Sequence, residues 1–216
     1  MKKDLVFGID CDGVLRDSLK DMVRIYNAEI GDDMKVSDVK DFNVDVSFPR
    51  IYKETGIPAA EWFFDCHSEE LFLNSKPIKG VQWAMRILRE FGKVVIVTYQ
   101  RSCENKLHTI EWLCRNKLMC DDVCFLKDKG LFRCDYFVDD NLSNFDGSNS
   151  KNAVLISAPY NTDVRLYNED GEEIKTEDSA LTKIYEISNC ENAMRFNSLK
   201  QFAEYINKTI PLTVNV

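Results

Sequence analysis

Positive charge is in short supply: 28 Lys and Arg stand against 36 Asp and Glu, a net charge of −8 over 216 residues. A protein that grips a nucleic-acid backbone is normally basic, so the balance argues against a nucleic-acid polymer as partner. It leaves a small phosphorylated substrate open, because a bound divalent cation can supply positive charge locally. Long hydrophobic runs are missing too. No stretch approaches the ~18 apolar residues of a membrane span, so no membrane partner is expected. The run from Leu5 to Asp10 is too short for a signal-peptide core and ends in an acid, which points to a cytoplasmic protein. Histidine is scarce as well. His67 and His108 lie far apart, and the eight cysteines form no C-x-x-C pair, which argues against zinc. In a reducing compartment those cysteines read as free thiols, most of them small side chains inside apolar runs. No internal repeat or low-complexity tract is present.

What the chain does contain is an alternation of buried strands and amphipathic helices. Leu5–Ile9, Lys93–Thr98, Val123–Leu126, Tyr136–Val138 and Ala153–Ile156 are short runs, apolar on both faces, as strands of a parallel sheet would be. Val81, Ala84, Met85 and Leu88 follow helical spacing, with Phe91 extending the stripe and Gly92 as a stop. Leu107, Ile110, Cys114 and Leu118 mark a second helix, between the second and third strands. Ser198 opens a third, in which Leu199, Phe202, Ala203 and Ile206 face the core. The fold class is α/β, a Rossmann-like parallel sheet flanked by helices.

Two segments break the rhythm. Residues 17–75 hold no β-branched run and read as aromatic-rich helices over Ser18–Glu29, Pro49–Thr55 and Ala59–Phe64. That is too long for an ordinary strand-to-helix loop, and it predicts a small helical cap inserted after the first strand. The core then comprises residues 1–16 and 76–216. Residues 162–197 are acidic and loosely patterned and read as an insertion, with Asp170-Gly171 turning a hairpin between Val164–Asn168 and Glu172–Thr176.

Chemistry concentrates at strand ends, where ligands bind in open α/β sheets. The first strand runs into Asp10-Cys11-Asp12-Gly13. Two carboxylates one residue apart on a glycine turn can hold a hard cation or divide into nucleophile and acid–base roles. The spacing also fits a nucleotide-sugar transferase site, whereas a calcium loop fails because Val14 occupies its third acidic position. Each of the other strand ends has a plain reading of its own. Thr98 could be a strand-end residue, Lys129 a solvated loop lysine, and Asp139-Asp140 a helix cap. Taken together, four consecutive strand ends deliver an acid pair, a hydroxyl, a lysine and an acid pair.

That set resembles the haloacid dehalogenase (HAD)-like phosphohydrolase superfamily, with motifs DxDG(T/V), a strand-terminal Thr or Ser, a Lys and an acidic pair. Within it, the chain is similar to the 5′(3′)-deoxyribonucleotidases. The carrying segments are Phe7–Leu15, Leu71–Gly80, Val94–Thr98, Glu111–Leu113, Lys127–Lys129 and Asp135–Asp140. The resemblance implies a Mg²⁺-dependent phosphatase acting on (deoxy)nucleoside monophosphates. Asp10 would be nucleophile and metal ligand, and Asp12 the acid–base that also offers its main-chain carbonyl to the metal. Asp140, with Asp139 close by, would complete the metal ligands. Thr98, Lys129 and backbone N–H groups near Asp12 and Gly13 would hold the phosphoryl oxygens. Phe72 matches a substrate-side position, and a homodimer is compatible with the family. Two features depart from the pattern: Tyr99-Gln100 stands where a small residue is usual, and residues 162–197 are extra. The alternatives are a phosphatase of a sugar or other metabolite phosphate, and a non-catalytic phosphate-binding module. The placement of Cys11 between the two aspartates leaves its sensitivity to oxidation open.

Overall fold

The computed structural model describes residues 5–145, 149–162 and 192–211. Six strands, β1 (Leu5–Ile9), β2 (Gly92–Thr98), β3 (Asp122–Phe125), β4 (Tyr136–Asp139), β5 (Asn152–Ile156) and β6 (Asn192–Phe196), form one sheet in the order β3-β2-β1-β4-β5-β6. Every pairing is parallel. β1 is central, with Ile9 opposite Ile96 on one side and Val138 on the other. The chains on its two flanks therefore end beside Asp10.

Side chains alternate across the pleat. Phe7, Ile9, Val94, Ile96 and Val154 pack against α5 (Val81–Phe91), α6 (Cys103–Arg115) and α7 (Leu199–Thr209), including buried Leu88, Trp112 and Phe202. On the opposite face Val95, Val97, Phe137 and Leu155 meet Cys134 and Phe145.

Helix α6 presents a different face from the one its leucine–isoleucine spacing predicts. Leu107 and Ile110 are 67% and 43% exposed and Cys114 is exposed, while Asn105, Thr109, Trp112 and Leu113 are buried. Leu118 is buried but lies beyond the helix end. The inward face carries polar residues because it serves hydrogen-bond partners outside the sheet. Asn105 accepts from Ser68 Oγ at 2.7 Å and donates to the Phe64 carbonyl at 2.9 Å. Trp112 Nε1 donates to the Ser75 carbonyl at 2.7 Å.

Between β1 and α5 lie α1 (Ser18–Ile30), α2 (Val44–Ser47), α3 (Pro49–Thr55) and α4 (Ala59–Glu61). Where a helix through Phe64 is predicted, the chain widens at Trp62 into a π-helical turn, Trp62–Cys66, and a second follows at Glu69–Leu73. This segment has its own apolar centre, in which Tyr26, Phe48, Phe63 and Leu71 are at most 1% exposed.

The expected hairpin over residues 164–176 lies outside the described residues. Of the 162–197 segment read as an insertion, Asn192–Phe196 is instead strand β6, paired with β5 from Asn152↔Asn192 to Ile156↔Phe196. As the sheet's edge it tolerates Arg195 among its apolar residues, so it lacks the uniformly apolar signature of the inner strands.

Candidate active site

The end of β1 turns sharply. Leu15 N and Arg16 N both donate to the Cys11 carbonyl at 2.9 Å, and Gly13 N donates to the Arg16 carbonyl at 2.9 Å. Gly13 sits at φ +77°, and a Cβ there would lie 1.7 Å from Asp140 Oδ2. The glycine is thus required twice, by its left-handed backbone and by the approach of the acidic pair. The expectation that its N–H binds a phosphoryl oxygen is revised, since that group is already donated within the turn.

Four strand ends converge here. Asp10, Thr98, Lys129, Asp139 and Asp140 are all buried. Lys129 opens a 3₁₀ turn capped by Asp128, whose Oδ1 accepts from Gly130 N at 3.0 Å. Its Nζ lies 2.8 Å from Asp139 Oδ2 and 2.9 Å from Asp10 Oδ1. The second contact is ionic, since Asp10 Oδ1 has no partner in hydrogen-bond geometry. Asp139 also accepts from Asn141 N at 2.8 Å and Asn144 Nδ2 at 2.9 Å, which leaves it fully engaged. Asp140 accepts from the Tyr160 hydroxyl. One carboxylate oxygen each from Asp10, Asp139 and Asp140 lie within 4.8 Å of one another.

Three buried carboxylates share one buried ammonium, and the electrostatics record the excess. Burial pushes the Asp10 carboxyl up to about 7, against the pull of Lys129 and with repulsion from Asp139 and Asp12 adding to it. Asp140 is raised well above the usual carboxylate range by burial, then by Asp139 and Asp10. Burial alone would lower Lys129, but Asp10 and Asp139 outweigh it and hold the ammonium charged. Burial also raises the Cys11 thiol, away from a reactive thiolate.

Asp12 stands apart from the carboxylate cluster. Its Oδ1 accepts from Arg16 Nε at 2.8 Å, and its Oδ2 accepts from Arg16 Nη2 and Gln100 Nε2, both at 3.0 Å. Asp10, Thr98, Lys129, Asp140 and Asp12 open into a cavity of about 480 Å³, which is also lined by Leu19, Met22, Phe42, Phe64, Phe72 and Tyr160. Phe72 stacks on Phe64 with centroids 5.9 Å apart, and Tyr160 meets Phe42 edge-on at 5.5 Å. Of the residues singled out in the sequence, Asp10, Asp12, Phe72, Thr98, Lys129 and Asp140 line this cavity, Asp139 lies behind them against Lys129, and Gly13 packs against Asp140. Arg16, Asn144 and Tyr160 are additions that sequence reasoning passes over. Gln100 shows in the sequence only as a departure from the usual pattern.

Residues 4–173 match the family model described as 5′ nucleotidase, deoxy (pyrimidine), cytosolic type C protein. The chain belongs to this family. It is a HAD-like phosphatase of the 5′-nucleotidase type. No curated protein sequence matches it. Its fold is similar to that of L-2-haloacid dehalogenase from Xanthobacter autotrophicus with chloropropionic acid covalently bound. That likeness has a TM-score of 0.57 and 11% identity, over 96% of this chain and 100% of that one. The HAD-hydrolase YfnB from Bacillus subtilis, a structure bound to magnesium, gives 0.52 and 11% over 95% and 100%. A HAD-superfamily hydrolase of subfamily IA from Geobacter sulfurreducens gives 0.51 and 12% over 94% and 97%. At these identities the likeness is one of fold, and the nucleotidase's chemistry has to be read from its own residues. Among the described residues no helix is long and apolar enough to cross a membrane.

Proposed function

We propose that this nucleotidase hydrolyses deoxynucleoside monophosphates through an aspartyl-phosphate on Asp10, with Mg²⁺ as cofactor. The observation that carries the reading is the buried acidic cluster with its single ammonium, set at the floor of an aromatic-walled cavity. Thr98 Oγ1 is buried there with no hydrogen-bond partner among the described residues, and Asp10 Oδ1 has only the ionic contact to Lys129. Groups left in that state suit a bound phosphoryl oxygen and a cation. The donor set is all oxygen, which favours Mg²⁺ over softer metals. Asp10, Asp140 and the main-chain carbonyl of Asp12 would hold it, with Asp139 fixed behind by Lys129 and Asn144. Bound there, Mg²⁺ supplies the positive charge that a dianionic phosphate needs beside carboxylates.

The chain's own residues then divide the work. Asp10 attacks phosphorus, and Thr98 and Lys129 hold the phosphoryl oxygens, a preorganised site in which losing one donor costs ~10²–10³ in rate. Asp12 protonates the departing sugar oxygen and then takes the proton of the hydrolytic water. Residues 17–75 act as a cap over a core of residues 1–16 and 76–216. Phe64 and Phe72 offer a stacking surface for the base, worth ~1–3 kcal/mol per base.

Phosphate release from 5′- and 3′-(deoxy)nucleoside monophosphates and from sugar phosphates, with Mg²⁺ and with EDTA, tests this. Mg²⁺-dependent release that favours deoxynucleotides is expected. Release confined to sugar phosphates would replace the substrate, and silence across the panel would refute catalysis.

A further inference from the structure

Arg16 has no part in the chemistry above, yet it is fully buried. We propose that Arg16 is a positioning residue that fixes the carboxylate of Asp12 at the cavity wall. The inference rests on the acid–base role of Asp12 in the proposed function.

Burying a guanidinium costs several kcal/mol in lost hydration, and an apolar side chain of similar volume is commonly as stable or more so. Packing alone therefore does not account for an arginine here. Its contacts do. Nε and Nη2 form a two-pronged fork on the two oxygens of Asp12, at 2.8 and 3.0 Å. Such a fork fixes the plane of a carboxylate as well as its distance, which a lysine cannot do. The guanidinium is itself held. Nη2 also reaches Thr109 Oγ1 at 3.3 Å, and Nη1 donates to the Phe72 carbonyl. Its carbon lies 4.9 Å from the ring centroid of Phe72 and 5.1 Å from that of Trp112. The Asp12 side chain, by contrast, keeps 27% of its surface exposed, and it lines the cavity. The fork thus grips the carboxylate from the protein side and leaves its free edge toward substrate. Gln100 Nε2 reinforces it at 3.0 Å on Oδ2.

Arg16 also sits where the two connections between cap segment and core cross. Asp17 N donates to the Lys76 carbonyl at 3.0 Å, Ile78 N donates to the Leu15 carbonyl at 2.8 Å, and Arg16 forms a β-bridge with Pro77. The placement of Asp12 is thereby tied to that of Phe72, which lines the same cavity.

The test compares two esters that differ in their need for a proton. A deoxynucleoside monophosphate releases a strongly basic alkoxide, whereas p-nitrophenyl phosphate releases a weakly basic phenolate. In Arg16→Lys, single-turnover release of the nucleoside should slow about 10²-fold, with substrate affinity little changed. Single-turnover release of nitrophenolate, which precedes the aspartyl-phosphate hydrolysis common to both esters, should keep most of its rate. Gln100→Ala should shift the ratio of the two rates in the same direction by less, and it decides the matter if Arg16→Lys does not fold. Equal losses on both esters, or an unchanged ratio in Gln100→Ala when Arg16→Lys is unfolded, would overturn the proposal. Asp12→Asn is the control. A strong bias against the nucleotide supports the acid–base role, and no bias would refute that role, separately from the placement by Arg16.

Discussion

Gly13→Ala is the sharpest test of how the site is built. The new methyl would lie 1.7 Å from Asp140 Oδ2 and 2.6 Å from its Cγ, at a backbone φ of +77°. Carbon–oxygen contacts below 3.0 Å are essentially never seen for a Cβ, so the carboxylate must retreat by more than about 1 Å. It has little room to do so. Tyr160 bonds the same oxygen, and Asn161 Nδ2 holds the Asp140 carbonyl at 2.8 Å. The left-handed backbone adds ~1–2 kcal/mol for any residue with a Cβ. Together these predict a loss of about 1–3 kcal/mol, hence a Tm lower by roughly 3–10 °C for a chain of this size. The activity should fall further, about 10²-fold, because a displacement of ~1 Å at a reacting centre costs that much. Calorimetry and phosphate release on the same preparation measure both. A Gly13→Ala protein with wild-type Tm and rate would refute the close approach of the turn to Asp140.

Other expectations follow the same logic. Removing the Lys129 ammonium from among the buried carboxylates, in Lys129→Met, should abolish turnover and destabilise by about 3–5 kcal/mol, read by urea denaturation. In the metal-free protein, stability should fall as pH rises. Folded Asp10 holds its proton up to about 7 while the unfolded carboxyl releases it near the usual 3.8, so the native advantage is lost across that interval. Mg²⁺ selects the ionised carboxylates, so it should flatten this slope and add ~2.7 kcal/mol at a hundredfold excess over Kd. An unaltered melting curve at every pH would count against a shared cation site. On α6, Leu113→Ala should cost ~2–4 kcal/mol, while Leu107→Lys should stay within ~0.5 kcal/mol of wild type. The reverse order in chemical denaturation would mean the helix is rotated.

The inner strands and the candidate positions at their ends are legible in the sequence because inner parallel strands are apolar on both faces, while their order in the sheet is shown only by the fold. That rule picks out Asp10, Thr98, Lys129 and Asp140, which line one cavity. Helix α6 misleads because its solvent face carries Leu107 and Ile110, while its inward face spends Asn105 and Thr109 on the Phe64 carbonyl and on Arg16. β6 hides for a related reason, since an edge strand needs no uniform apolar run. Arg16 is visible as a letter but not as a partner, because only folding shows that its charge is buried against Asp12. The same holds for Tyr160, which reaches Asp140 from beyond β5.

The strand order carries a consequence for how the chain acquires its fold. β1 takes its central place only when β4 pairs with it, and the Lys129 ammonium that faces Asp10 lies in the turn between β3 and β4, far along the chain. A nascent chain that ends before Lys129 holds the acid without its counter-ion. Productive collapse therefore waits on pairings between distant parts of the sequence, the kind that makes refolding slow. A truncated or stalled chain of this protein would emerge as an unfinished sheet with a buried charge to resolve, a natural substrate for chaperones or proteases.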